Sequence, residues 1–346
     1  MAAERIIYMN DMRFEDDVVI VTGGGRGMGR AHCLELARRG ARVVVNDIGG
    51  GMDGEGTDAS VAQEVVDFIE AAGGTAIANT SSVATEAGAT EILDSALGAF
   101  GRIDAVIHNA GIAGFAPIED ISLEEFRKVL AVHLEGGFLI ARAAWPHMRQ
   151  QGYGRIVFIT SQTALSGMFN LAHYGSAKAG LTGLGRVLAL EGEPYGIRVN
   201  SLGVTALTRL MADFFAAGGP ADDRPDVLHE TGEWWETYNR SELVSPVLSY
   251  LVHPDCMLNG ELLDTGGGHV SRQFLATTRG FLDLDLTTET LAENIDSVFD
   301  PTDAEGPFEN AAKFLDWRHA KMIAAGAILP DIAAGAILPD KDSKED

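Results

Sequence analysis

From Asp16 to about Asp264, short apolar runs alternate with longer amphipathic stretches, and the runs are mostly β-branched. Seven are predicted as strands: VVIVT at 18–22, ARVVVND at 41–47, TAIAN at 75–79, DAVIHN at 104–109, RIVFIT at 155–160, RVNSLG at 198–203 and ELLDTG at 261–266. Most are apolar throughout, as a strand buried on both faces requires, and the amphipathic stretches supply helices to cover each side. The expected fold class is α/β, a doubly wound parallel sheet of Rossmann-like form, followed by a mostly helical C-terminal extension.

The alternation breaks twice. Between about 207 and 240, Gly218, Gly219, Pro220 and Pro225 interrupt a segment rich in Phe214, Phe215, Trp234, Trp235 and Tyr238, and a loop of this length inside a domain is read as functional. After Gly268 the chain becomes acidic and helical in pattern, with a break at Pro301 and Pro307. Near its end AAGAILPDI at 324–332 is followed by AAGAILPD at 333–340, too few copies for a solenoid. Two domains are therefore expected, at 1–268 and 269–346.

Composition narrows the partners. Against 26 Lys and Arg stand 50 Asp and Glu, a formal charge of -24 whose field repels phosphate backbones and anionic lipid, so neither nucleic acid nor membrane is expected as a partner. No apolar run is long enough to span a bilayer. Cys33 and Cys256 are too few for a disulfide framework, and MAAERIIYMNDMRFEDD lacks a basic segment leading into an apolar core. A cytoplasmic location is expected.

The chemistry gathers at the strand ends. TGGGRGMG, Thr22 to Gly29, follows the first strand and opens a helix, so Gly23, Gly27 and Gly29 fall where a backbone turns tightly beside a pyrophosphate. Asp47 ends the second strand about twenty residues on, where a carboxylate binds an adenosine ribose diol and repels a 2'-phosphate. NAD is favoured over NADP, although Arg26 in the glycine loop pulls the other way. Tyr174 and Lys178 stand one helical turn apart on one face, so an ammonium could lower the phenol pKa by about one to three units from about 10. Ser161 closes the strand RIVFIT, with Thr160, Thr163 and Ser166 as rival hydroxyls, and Asn109, Ala110 and Gly111 end another strand. The histidines show no metal-ligand spacing, and no metal is expected.

Together these residues resemble the short-chain dehydrogenase/reductase family over about 16–270, including the thirteen positions from Ser161 to Tyr174. Within it VNDIGG, GRID, HLEGGF, AAWPHM and YGRIV are most similar to the (3R)-hydroxyacyl-CoA dehydrogenase portion of the peroxisomal multifunctional enzymes, the 17β-hydroxysteroid dehydrogenase type 4 branch. The resemblance implies Tyr174 as general acid/base, Lys178 as its partner, Ser161 steadying the reacting oxygen, and His133 acting through its main-chain carbonyl on a water linked to the lysine. It implies cofactor contacts from Gly23, Arg26, Gly27, Met28, Gly29, Asp47, Ser82, Val83, Asn109, Ala110, Gly111, Tyr174, Lys178, Val204 and Thr208. Ser161, Thr163, Tyr174, Phe214 and Phe215 would face the substrate. Departures from the family pattern are His108 for the first Asn of a common pair, Ser81 where Asp often binds adenine, and Val204 for a common proline.

The expected activity is NAD-dependent oxidation of a secondary alcohol. The aromatic loop favours a bulky apolar small molecule such as a hydroxysteroid or alicyclic alcohol. A (3R)-3-hydroxyacyl-CoA is the alternative substrate, and a non-catalytic nucleotide-sensing protein the alternative of another class. A homodimer or homotetramer is expected by resemblance.

Overall fold

A computed structural model describes residues 12–206 and 237–326. These form two compact units that divide between Gln273 and Phe274. The first is built on one sheet of β1 (Val18–Thr22), β2 (Arg42–Asn46), β3 (Thr75–Asn79), β4 (Ala105–His108), β5 (Gly154–Thr160), β6 (Ile197–Thr205), β7 (Leu262–Gly266) and β8 (His269–Gln273). Its spatial order is β3-β2-β1-β4-β5-β6-β7-β8, all parallel except for β8. All seven predicted strands are present.

β1 is apolar at four of its positions and buried at every one, yet its period of two still sorts the layers. Val19 and Val21 pack with Leu36 of α1 (Gly27–Arg38), Val65 of α2 (Ser60–Ala71) and Leu248, which lies further along the chain. Val18 and Ile20 face the other way, toward Ile92 of α3 (Glu86–Phe100) and toward Ile140 and Leu181. Beyond α4 (Leu123–Leu130), those last two belong to α5 (Gly136–Gln151) and α7 (Ala172–Gly192), the short α6 (Thr163–Ser166) lying between. Leu248 belongs to α8 (Ser245–Val252). Each such side chain, fully buried, contributes roughly 1.5–3 kcal/mol. Because the chain runs outward from β1 in both directions, a crevice opens beyond the carboxyl ends of β1 and β4, where doubly wound sheets bind ligands.

The eighth strand escaped the sequence reading. HVSRQ is polar and mostly exposed, so it lacks the apolar run that marked the others. It pairs antiparallel with β7, Gly266 opposite His269, through a turn at Gly267 and Gly268, whose φ values of 57° and 80° favour glycine. The Gly-Gly after a strand was the available signal.

The second unit contains α9 (Thr288–Glu293), α10 (Ile295–Phe299) and α11 (Ala311–Ala324). It is organised by the rings of Phe308, Phe314 and Trp317, whose centroids lie 5.3 to 5.5 Å apart, and by a 2.6 Å hydrogen bond from Trp317 Nε1 to Glu305. The duplicated AAGAILPD segment falls almost wholly outside the described residues. Among those described, no helix is long and apolar enough to cross a membrane.

Five imidazoles are buried within the first unit, and burial pushes three of them far down. His32 on α1 sits with Nδ1 2.9 Å from Ser245 Oγ on α8, and burial pushes it down to about 3. Burial pushes His108 to about 4 and His133 well below the ordinary histidine range. An unfolded chain takes up these protons near pH 6.5, so below that pH the unfolded state binds more protons and stability falls. We expect a lower urea midpoint at pH 5 than at pH 7.5, the slope reaching at most about 1.4 kcal/mol per pH unit for each imidazole. The fall should be smaller in His32→Asn, which keeps a partner for Ser245 and has nothing to protonate. An equal midpoint at the two pH values would show that the buried rings are not excluded from protonation.

Candidate active site

The site begins where β1 ends. Gly23 and Gly27 have φ values of 64° and 49°, and a Cβ at Gly29 would lie 1.9 Å from the Gly23 carbonyl oxygen, so the loop closes only on glycine. A Cβ at Gly27 would meet nothing within 4 Å, because that position opens on a cavity. The first turn of α1 has no side-chain cap and presents its amide donors to the cavity. Asp47 stands at the end of β2 with Oδ2 accepting from Gly25 N–H at 2.9 Å and Oδ1 from Gly49 N–H at 2.8 Å. Arg26 Nη1 donates to the Gly50 carbonyl at 3.2 Å.

Thr22 joins this loop to β4. Its hydroxyl oxygen accepts from the amides of Asn109 and Ala110, each at 3.1 Å, while Asn109 Nδ2 donates to the carbonyls of Thr22 and Gly23 at 3.0 Å. After β3, Asn46 Nδ2 donates to the Ser81 carbonyl at 2.8 Å and brings Ser82 and Val83 to the cavity wall. The Ser81 hydroxyl turns away, donating to Glu91 at 2.8 Å.

The cavity, of about 350 Å³, runs from the glycine loop and Asp47 past Asn109, Ala110 and Gly111 to Tyr174, Lys178 and Val204. Met28 and His133 also line it, and so does Arg26, while Ser161 and Thr163 do not. Thr208, Phe214 and Phe215 lie outside the described residues. Thr22, Asn46, Ile112 and Lys128 were missed by the sequence reading: Thr22 acts through Asn109 and Ala110, and the other three reach the cavity wall only in the fold. Lys128 pairs with Glu55 across the cavity edge.

At the reacting end, Lys178 is 3% exposed, its Nζ donating to the Ile159 carbonyl at 2.6 Å and lying 5.5 Å from the Tyr174 ring centroid. Burial pushes the ammonium down to about 7. The phenol departs from expectation: burial pushes Tyr174 up to about 12, and a hydrogen bond with Ser161 offsets only part of this. The lysine fails to lower it because burial leaves its amine uncharged well below the pH at which the phenol ionises. Ser161 is also the partner of Thr163, whose backbone N–H donates to its Oγ at 3.2 Å. Of the rival hydroxyls, Thr160 donates to the Lys178 carbonyl at 3.1 Å and is committed to α7.

His133 lies in a π turn, Ala131–Glu135, between α4 and α5. Its ring stands at 83° to that of Tyr174, centroids 5.2 Å apart, and its Nε2 meets the amide and carbonyl of Ile112 at 3.1 and 2.7 Å. Gly111 makes room for it, since a Cβ there would lie 2.4 Å from His133 Cε1. One lone pair of the His133 carbonyl is taken by His108 Nε2 at 2.9 Å.

An uncapped helix start, an open glycine and a fixed carboxylate at one end of a cavity, with a phenol, a hydroxyl and a buried amine at the other, fit a dinucleotide laid along the strand ends. The family model described as short chain dehydrogenase matches residues 17–216. A Mycobacterium tuberculosis protein carrying the name short-chain type dehydrogenase/reductase Rv0148 is 44% identical over 75% of this chain and 85% of its own. Hydroxyacyl-CoA dehydrogenase ChsB1 of the same organism is 39% identical over 58% of this chain and 64% of its own. The solved full-length peroxisomal multifunctional enzyme type 2 of Drosophila melanogaster matches 90% of this chain with a TM-score of 0.71 at 27% identity, and this chain spans 50% of that one. With its Rossmann-like sheet, its cavity and these relatives, the chain belongs to the short-chain dehydrogenase family and is an oxidoreductase.

Proposed function

We propose that this chain is an NAD-dependent dehydrogenase that oxidises the secondary alcohol of a (3R)-3-hydroxyacyl-CoA to the ketone, reversibly. The observation that carries the reaction type is that Tyr174 and Lys178 line one end of a cavity whose other end is the glycine loop and Asp47, with Ser161 hydrogen-bonded to the phenol. The similarity to a hydroxyacyl-CoA dehydrogenase and to a multifunctional enzyme supports the acyl-CoA. These relatives favour it over the hydroxysteroid or alicyclic alcohol expected from the aromatic loop, most of which, 207–236, lies outside the described residues. The reading carries with it a homodimer or homotetramer in a reducing compartment, in keeping with two free, buried cysteines.

The nicotinamide dinucleotide, when bound, supplies the hydride acceptor. Gly23, Gly27, Gly29 and the start of α1 would hold its pyrophosphate, Asp47 its adenosine ribose, and Ser82, Val83, Asn109, Ala110, Gly111 and Val204 the walls beside it. This chain contributes positioning and proton transfer. Ser161 holds the reacting oxygen beside the phenol. Tyr174, protonated throughout the neutral range, is ready to donate to a carbonyl oxygen; in the direction of oxidation it takes the alcohol proton only as its own leaves. Lys178, poised near 7, is the neighbouring group able to receive a proton at neutral pH.

Tyr174→Phe should lower kcat by roughly 10²–10⁴-fold with dinucleotide binding retained, as read by titration of intrinsic fluorescence. Unchanged turnover would defeat the mechanism and favour a nucleotide-sensing role. For oxidation, kcat/KM should rise from pH 6 through about 7 as Lys178 loses its proton, and Lys178→Met should remove that inflection. Asp47→Ser should shift the preference between NAD and NADP toward NADP by about tenfold, equal to about 1.4 kcal/mol. Steady-state assays with both enantiomers of a 3-hydroxyacyl-CoA, a hydroxysteroid and a simple alicyclic alcohol decide the substrate, and a preference for the steroid would sink the acyl-CoA reading.

A further inference from the structure

His108 ends β4, is 1% exposed, and enters no step above. Its Nε2 lies 2.9 Å from the His133 carbonyl oxygen, which can only accept, so Nε2 carries the proton. Nδ1 is then bare and accepts from the Thr22 hydroxyl at 3.2 Å, the same hydroxyl whose oxygen receives the amides of Asn109 and Ala110. One neutral imidazole thus ties the strand end beneath the glycine loop to the turn that carries His133.

That turn is the irregular part of a helical run from Leu123 to Gln151, interrupted by the π winding at Ala131–Glu135. Such a winding displaces carbonyls from the regular ladder and recurs at functional sites. The imidazole of His108 bonds to the carbonyl of His133. It has a fitted slot: a Cβ at Gly136 would lie 3.2 Å from its Cε1 and one at Gly137 3.1 Å from its Cδ2, while the Phe158 ring stands edge-on with centroids 6.4 Å apart. On its other side, the turn sets the His133 ring between Ile112 and Tyr174.

We propose that His108 is a positioning residue for Tyr174: by holding the His133 carbonyl it fixes the π turn, and with it the ring that buttresses the phenol. The inference rests on Tyr174 being the proton carrier. Its effect falls on kcat and leaves dinucleotide binding alone, because the Thr22 hydroxyl keeps the amides of Asn109 and Ala110 without it.

Three variants separate the two nitrogens. His108→Gln places an amide donor near the position of Nε2, His108→Asn reaches only the position of Nδ1, and His108→Leu replaces neither. The readouts are kcat, KM for the dinucleotide, hydrogen exchange across 130–138 and the urea midpoint. We expect the Gln variant to keep kcat within about threefold, and the Asn and Leu variants to lose about tenfold or more. KM for the dinucleotide should stay within about twofold in all three, with exchange quickened in Asn and Leu alone. Equal losses in Gln and Leu would reduce His108 to packing, and a wild-type rate in Asn, or a loss seated in KM, would overturn the proposal. If wild-type protein oxidises no secondary alcohol, the functional reading has failed. The exchange pattern then decides the hold on the turn by itself, quickening in Asn and Leu supporting it and uniform exchange overturning it.

Discussion

Where β1 and β4 part, the hydroxyl of Thr22 takes up two amides of the β4 loop and gives its proton to His108, and the rest of the site is positioned from that join. A parallel sheet leaves its carboxyl ends unpaired, and buried amides there need partners. Thr22 and Asn109 supply them from within, so the glycine loop and the Asn109–Gly111 segment are held together across the opening.

The reacting end is governed by burial. No carboxylate pairs with Lys178 among the described residues, and its partner is a carbonyl that accepts equally from an ammonium or an amine. Desolvation therefore acts on it almost unopposed and brings it toward neutrality, while the same low-polarity surroundings keep Tyr174 protonated and the two nearby imidazoles neutral. The site holds four ionisable groups close together with few charges expressed. A proton added or removed there is felt strongly, which suits proton transfer.

Much of this was legible before any coordinates. The strands were readable because burial on both faces leaves an apolar run with nothing to dilute it, and β8 was not, because an exposed edge strand carries no such run. Ser161, Tyr174 and Lys178 were readable through their resemblance to a family's order and spacing, since a tyrosine and a lysine one helical turn apart mean little by themselves. The state of the phenol was not: proximity in sequence suggested a lysine that would depress it, while the direction of Nζ and the degree of burial arise only from packing of α7 against β5.

The amino-acid sequence by itself determined the layered α/β architecture, the glycine loop and the one-turn spacing of Tyr174 and Lys178, since each depends on periodicity or on residues a few positions apart. The tertiary structure alone decided the roles of Thr22, Asn46 and His108, whose partners come from other strands and turns. It also decided which hydroxyl stands by Tyr174, Ser161 meeting the phenol while Thr160 is spent on the α7 backbone. Hydrogen bonds between elements far apart in the chain, and the loss of solvent around a charge, are properties of the assembled interior and have no signature in the linear order.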